Sequence, residues 1–185
     1  MLILASNSPR RKELITEYIT SDFLIIPSNS KEEYKNEETI EENILRIAKA
    51  KGKEVFLSHP DDTIISADTM VVFNNKVYGK PKDLNDAKKM LNEFSDKEHQ
   101  VFTAYYIFKG DKVKSRLVKS TVKFKPLSEE FIDNYINNNS PLDKAGSYGI
   151  QDEAFKEAIE YYIGSLSNII GLPVEQLKKD LAGLK

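Results

Sequence analysis

Hydrophobic residues return every three to four positions in several stretches of the chain, which is the period of a helix with one buried face. The clearest stretch covers residues 39–57, where the apolar positions are Ile40, Ile44, Ile47 and Ala48. Polar residues that can accept hydrogen bonds from free backbone N–H groups stand where helices should begin; they are Ser8, Thr39, Asp83 and Ser128. A final helix is predicted after Pro173.

Other stretches have the denser apolar and β-branched content of strands. They cover residues 2–6, 63–73, 99–108 and 112–124 and a segment near 158–163, and we expect the run over 63–73 to be interrupted near Asp68. Gly110 and Asp111 separate two of these runs, which predicts a long hairpin. Because strands and helices alternate without strict βαβ repetition, we predict an α/β fold with a mixed sheet, in a single domain over residues 1–185.

Composition narrows the functional classes. The 185 residues carry a net charge of -2 with both signs spread along the chain, so no basic field favours nucleic acid as a partner. The absence of cysteine excludes disulfides, thiolate metal sites and cysteine nucleophiles, and suits a reducing compartment. No apolar run reaches the length of a membrane span. We therefore expect a cytoplasmic protein with no membrane partner.

The first candidate for chemistry is the segment Ser6-Asn7-Ser8-Pro9-Arg10-Arg11, where a strand ends and a helix begins. A helix start offers unpaired N–H groups and partial positive charge, which favour a phosphate. Arg10 and Arg11 oppose the helix dipole by about 0.3–1 kcal/mol each, and an anionic ligand would remove that conflict. A capped surface helix with two solvated arginines explains these residues equally well.

The second candidate is Asp68 in Ala67-Asp68-Thr69. A carboxylate inside an apolar strand is costly unless it is paired, protonated or bound to a cation. Magnesium takes carboxylate oxygens and bridges to substrate phosphates, so this residue could hold a metal. On its own, the residue is explained better as an aspartate that ends a strand and caps a turn.

Lysines and a glutamine supply the remaining candidates. Lys80, after Gly79, is a compact charge for phosphate, although this sequence is usually just a turn. Lys51 lies on the buried-face register of its helix, where it either extends its stem to the surface or reaches into a cleft. Gln151 ends a glycine-containing loop over 143–151 and carries both a donor and an acceptor, as reading a base edge requires; an ordinary connecting loop is the alternative.

Taken in order, these segments resemble the Maf family of nucleotide pyrophosphatases. The match runs through Leu4-Ala5-Ser6, Ala67-Asp68-Thr69, Gly79-Lys80-Pro81, residues 143–151 and Ser167-Asn168-Ile169-Ile170-Gly171-Leu172-Pro173, and covers nearly the whole chain. The resemblance implies an inosine triphosphate pyrophosphatase-like (Maf/Ham1) fold, in which a mixed sheet lies between two lobes and the active site lies in the cleft. It also implies a nucleoside triphosphate substrate, Mg²⁺ or another divalent cation, and a homodimer.

The resemblance also implies roles for individual residues. Ser6, Arg10, Lys51 and Lys80 would line the triphosphate, while Glu32 and Asp68 would hold the metal. Asp68 would also orient or deprotonate the attacking water. These residue types suit the hydrolysis of a phosphoanhydride, which needs charge neutralisation, a positioned water and a metal clamp, and needs neither cysteine nor histidine.

Within the family, one subclass prefers dTTP and UTP and another takes 7-methyl-GTP. Arg11, Thr69 and Gln151 match the first subclass, which implies that they contact the base and that the chain is a dTTP/UTP pyrophosphatase. A 7-methyl-GTP or other modified-nucleotide pyrophosphatase and a non-catalytic nucleotide-binding regulator of septum formation remain as alternatives. The chain departs from the family pattern after Gln151: the family usually continues with glycines, whereas the residues here are Asp152-Glu153-Ala154-Phe155-Lys156-Glu157.

Overall fold

The structure, a computed structural model, describes all residues Met1–Lys185 and has the predicted α/β fold. One mixed sheet contains the strands β1 (Leu2–Leu4), β2 (Leu24–Ile25), β3 (Thr63–Phe73), β4 (Lys76–Tyr78), β5 (Glu98–Lys109), β6 (Lys112–Phe124) and β7 (Ile159–Ile163). The helices are α1 (Pro9–Tyr18), α2 (Ile40–Ser58), α3 (Leu84–Phe94), α4 (Glu129–Asn138), α5 (Leu166–Ile170) and α6 (Val174–Gly183). None of them is long and apolar enough to cross a membrane.

The sheet order is β2-β1-β3-β5-β6-β7, with β4 paired to β3. β1 runs parallel to both β2 and β3, whereas β4 is antiparallel to β3 and β7 is antiparallel to β6. β5 and β6 form the predicted hairpin, and Gly110 in its turn has a φ of 58°. The turn between β3 and β4 is made by Asn74 and Asn75, which also have positive φ, a conformation that asparagine tolerates better than most residues.

The predicted helix starts are confirmed, since each capping side chain accepts a hydrogen bond from the backbone N–H three residues later; the caps are Ser8, Thr39, Asp83 and Ser128. The prediction that the strand is interrupted near Asp68 was wrong. β3 continues through Asp68 because a buried cation pairs with its carboxylate. β2, β4 and α5 were not predicted, because two, three and five residues are too few to establish a period.

The chain forms two compact units. The first contains Met1–Thr69, Thr103–Val118 and Gly171–Lys185. Part of its core is a cluster of Ile3, Ala5, Val55, Ile64 and Phe108. The Tyr105 hydroxyl donates to Asp180 Oδ2 at 2.6 Å, and Arg116 forms two hydrogen bonds with the same carboxylate, so α6 is tied to the β5–β6 hairpin.

The second unit contains Met70–Phe102 and Lys119–Ile170, and aromatic side chains fill its core. His99 stacks on Phe94 and meets Phe124 and Tyr148 edge-on. Its Nε2 lies 2.6 Å from the Tyr148 hydroxyl, while Nδ1 has no hydrogen-bond partner. Burial lowers the pKa of His99 to about 3, so the ring stays neutral in the folded protein.

This burial predicts that acid destabilises the second unit. Between pH 6.5 and pH 3 the unfolded chain binds a proton at His99 that the folded chain does not, so stability falls as pH drops through the unfolded pKa of about 6.5. From pH 7 to pH 5 we expect a loss of about 2 kcal/mol from this group. Urea unfolding at the two pH values should show that the free energy of unfolding falls by about 2 kcal/mol less in His99→Gln than in the wild type. His59→Gln is the control, and an unchanged pH dependence in His99→Gln would contradict the assignment.

Candidate functional site

The centre of the candidate site is a lysine shared by two carboxylates. Lys51 Nζ lies 3.0 Å from Asp68 Oδ1 and 2.7 Å from Glu32 Oε1. The Lys51 and Asp68 side chains are each only 11% exposed, whereas that of Glu32 is 60% exposed. Lys51 therefore reaches into the unit rather than to its surface, and two negative groups from distant segments converge on one point.

The register between α2 and β3 produces this contact. Alternate residues of a strand point to the same face, so Ser66 and Asp68 share one. The Ser66 hydroxyl donates to the Ala48 carbonyl at 2.7 Å, and one helical turn later Lys51 meets Asp68. Gly52 makes the close approach possible, since a Cβ there would lie 2.4 Å from Ser66 Oγ.

A buried amide shapes the segment before α2, in which Glu32 lies. Asn43 is completely buried; its Oδ1 accepts from Lys35 N at 2.7 Å and its Nδ2 donates to the Thr39 carbonyl at 2.9 Å. Arg46 adds a hydrogen bond to the Glu33 carbonyl at 2.7 Å. These bonds give a polar stretch without regular secondary structure a defined path next to the helix that carries Lys51.

Arg11 organises the opposite side of β3 through three hydrogen bonds. Its Nε donates to the Gly171 carbonyl at 2.9 Å, Nη1 to Ser6 Oγ at 3.2 Å and Nη2 to Thr69 Oγ1 at 3.0 Å. Burial lowers the pKa of Arg11 below its ordinary value, while the nearby carboxylates of Asp68 and Glu32 act in the opposite direction. Arg11 thus holds Ser6 and Thr69 together and supplies buried positive charge beside the Lys51 site.

These bonds limit what Arg11 can donate to a ligand. A guanidinium carries five N–H groups, and three are directed at the protein, so at most two remain for another acceptor. Ser6 Oγ also accepts from Ser8 N at 3.2 Å. Both side chains are therefore oriented by the protein itself before any ligand binds.

In the second unit, the Gly79-Lys80-Pro81 segment meets the segment over 143–151. Gly146 N donates to the Gly79 carbonyl at 3.1 Å. Gly146 has a φ of 72°, and a Cβ there would lie 2.8 Å from Val71 Cγ2, so glycine is required. Lys80 and Gln151 are both exposed.

The structure thus divides the predicted site residues between the two units. The first unit contains seven of them: Ser6, Arg10, Arg11, Glu32, Lys51, Asp68 and Thr69. The second contains Lys80 and Gln151. Two contacts were not predicted from the sequence: the Gly171 carbonyl that binds Arg11, and the buried amide of Asn43. Gly171 lies in the motif Ser167 to Pro173, but no neighbouring residue of that motif indicates Arg11 as its partner.

The carboxylate pair is compatible with a divalent cation. Magnesium commonly binds one or two carboxylates and completes its coordination with substrate phosphates and water. Glu32 and Asp68 offer such a pair of hard oxygen donors, since both approach the same ammonium. No group of three histidine, cysteine or acidic residues could hold a metal through protein ligands alone.

Sequence and structure similarity to known proteins supports the fold and shows the family of this chain. Residues 1–184 match the family described as Maf-like protein. A Pyrococcus furiosus protein named dTTP/UTP pyrophosphatase is 42% identical over 94% of this chain and 90% of its own length. A protein with the same name from Clostridioides difficile is 42% identical over 95% and 91%. The solved Ham1 protein of Staphylococcus aureus, 18% identical, covers 100% of this chain and 99% of its own with a TM-score of 0.52, which supports the predicted fold.

The shared lysine leads to a stability prediction. Lys51→Met keeps the apolar stem but leaves the buried Asp68 carboxylate without its cation, so we expect the free energy of unfolding at pH 7.5 to fall by about 3 kcal/mol. Glu32 should add little to this loss because it is mostly exposed. The control is Lys53→Met on the exposed side of α2, which should change stability by less than about 0.5 kcal/mol. Equal denaturation midpoints for the two variants would refute the argument.

Proposed function

Because the chain belongs to the Maf family, we propose that it is a nucleoside triphosphate pyrophosphatase that hydrolyses dTTP and UTP to the monophosphate and pyrophosphate. The observation that carries the proposal is the buried Lys51 held between Glu32 and Asp68, next to the Arg11 cluster. The cationic groups can neutralise the charge of a triphosphate, and the carboxylates beside them can position the attacking water. The names of the relatives supply the substrate.

In this proposal, residues 1–185 form one catalytic domain, and water attacks the α phosphorus. Asp68 accepts a hydrogen bond from that water and takes its proton, while the Lys51 ammonium fixes the position of the carboxylate. The bond between the α phosphorus and the oxygen that bridges to the β phosphorus breaks, and the electron pair leaves with pyrophosphate. Ser6, Arg10, Lys51 and Lys80 bind the phosphate oxygens, so that negative charge is neutralised as it shifts to the leaving group.

A divalent cation, Mg²⁺ or a similar ion, completes the proposal. Glu32 and Asp68 would hold it, and it would supply charge neutralisation and polarise the phosphate. The proposal also includes a cytoplasmic location, in keeping with the absence of cysteine, and a homodimer, which rests on the family resemblance alone.

Base recognition is assigned to Arg11, Thr69 and Gln151. Arginine only donates and glutamine both donates and accepts, which suits uracil or thymine with two carbonyl acceptors and one N–H. Cytosine presents an amino donor in place of one carbonyl, so it would leave a polar group unpaired at a cost of about 1–3 kcal/mol. At most two N–H groups of Arg11 remain for this task, which makes Gln151 the more discriminating residue.

The products and the substrate preference test the proposal. With Mg²⁺ present, dTTP and UTP should yield monophosphate and pyrophosphate, and kcat/KM should exceed that for CTP by about tenfold or more. Chelation of the metal should abolish turnover. Release of orthophosphate would exclude attack at the α phosphorus. A preference for 7-methyl-GTP would favour the other subclass, and nucleotide binding without any turnover would favour a regulatory protein.

The role of Asp68 is tested separately by Asp68→Asn, which keeps the size of the side chain but removes its charge. Turnover of dTTP should fall at least about a hundredfold, as is usual on loss of a general base. The fold should persist, and circular dichroism would check this. The control is Asp180→Asn, a buried carboxylate of the same unit that binds Tyr105 and Arg116, which should keep turnover within about threefold. Near wild-type turnover in Asp68→Asn would make this residue structural.

A further inference from the structure

Gln151 occupies a tight turn whose two ends are close in space. The Asp152 N–H donates to the Gly149 carbonyl at 3.0 Å, which closes a turn with Ile150 and Gln151 at its centre. Ile150 is buried and Gln151 is exposed, so the turn anchors one side chain and presents the other to solvent. The direction in which Gln151 points is therefore set by whatever holds the ends of the turn.

A single hydroxyl holds both ends. The Gly149 N–H donates to the Tyr135 hydroxyl oxygen at 3.1 Å, and the Tyr135 O–H donates to Asp152 Oδ2 at 2.6 Å. Tyr135 comes from α4, so this contact fixes the turn to a regular element rather than to another loop. We call the arrangement of Tyr135, Gly149 and Asp152 the tyrosine clamp.

The clamp is rigidly supported. Tyr135 is only 2% exposed, and its ring packs against the edge of Phe155 with centroids 4.8 Å apart. Burial, followed by the bond to Asp152, raises the pKa of Tyr135 far above its ordinary value, so the hydroxyl keeps the proton that it donates. Lys144 Nζ lies 3.8 Å from Asp152 Oδ2 and offsets the charge of the carboxylate.

The local sequence suits this contact. Asp152 Oδ2 lies only 3.0 Å from where a Cβ on Gly149 would be, so the missing side chain leaves room for the carboxylate over the turn. A glycine at position 152 would have no side chain for Tyr135 to bind.

We propose that Tyr135 and Asp152 are positioning residues that set nucleobase selectivity by holding Gln151 in the clamped turn, an inference that rests on the proposed function. Neither residue needs to touch the substrate. Loss of the clamp should weaken the discrimination of bases by Gln151 and leave the groups assigned to the phosphates unchanged. The effect should therefore be found in KM and in the ratio of substrates rather than in kcat.

The experiment compares two tyrosine variants that lose equivalent bonds. Tyr135→Phe removes the hydroxyl of the clamp, and Tyr105→Phe removes the other buried hydroxyl that donates to an aspartate at 2.6 Å. We expect Tyr135→Phe to raise KM for dTTP and to lower the dTTP-to-CTP ratio of kcat/KM by about tenfold, with kcat within about twofold. Tyr105→Phe should keep the wild-type ratio. An unchanged ratio in Tyr135→Phe, or an equal fall in both variants, would overturn the proposal.

Variants of the carboxylate provide a second test. Asp152→Asn retains an acceptor oxygen for Tyr135 and should keep most of the selectivity, whereas Asp152→Ala should lose it. The double variant that combines Asp152→Ala with Tyr135→Phe should be no less selective than Asp152→Ala alone, because both changes remove the same bond. Additive losses would show that the two residues act independently and would overturn the clamp.

Hydrogen exchange separates failure of the clamp from failure of the proposed function. The backbone N–H groups of Gly149 and Asp152 are both bonded within the clamp, so Tyr135→Phe should speed their exchange by about tenfold or more and Tyr105→Phe should not. A wild type that releases no pyrophosphate from any of the triphosphates would refute the proposed function. Unchanged exchange in Tyr135→Phe would refute the clamp, whatever the activity.

Discussion

The first unit depends on one constraint, which is that a buried carboxylate in the middle of a strand must have a cation beside it. Leaving Asp68 uncompensated would cost several kcal/mol, so Lys51 must reach it from α2. That in turn requires the helix to lie close to β3, and Gly52 permits this because any side chain there would collide with Ser66 and Phe108. The bond from Ser66 to the Ala48 carbonyl then fixes the register. The packing of α2 thus follows from the need to place one charge.

The second unit buries polar groups of a different kind. The polar groups within its aromatic core include the neutral rings and hydroxyls of His99, Tyr135 and Tyr148. Neutral donors cost less to bury than ions, and the hydrogen bonds that they form have a preferred angle. This suits the proposed role of Gln151 in reading the edge of a base, whereas the buried ion pair of the first unit suits the proposed role of Lys51 and Asp68 at the phosphates.

The sequence predicted those features whose causes are local. Caps at Ser8 and Thr39 and the hairpin at Gly110 depend on neighbours within a few residues, and all are present. The unbroken path of β3 depends on a lysine 17 residues away, so the strand alone suggested an interruption. The binding of Arg11 to a carbonyl 160 residues away leaves no periodic signal at all. The tyrosine clamp could not be predicted either, because the sequence does not show that Tyr135 lies beside Asp152.

The bond between Arg11 and Gly171 also has a consequence during synthesis on the ribosome. Translation adds about 5–20 residues per second, so a nascent chain contains Arg11 for roughly 10–30 s before Gly171 exists. The second unit ends at Ile170, whereas the first still needs Gly171–Lys185. The residues of the second unit are therefore all made before the first unit can close. Throughout that interval the Arg11 guanidinium lacks its carbonyl partner, so the packing around Arg11 cannot be completed until Gly171 has been made.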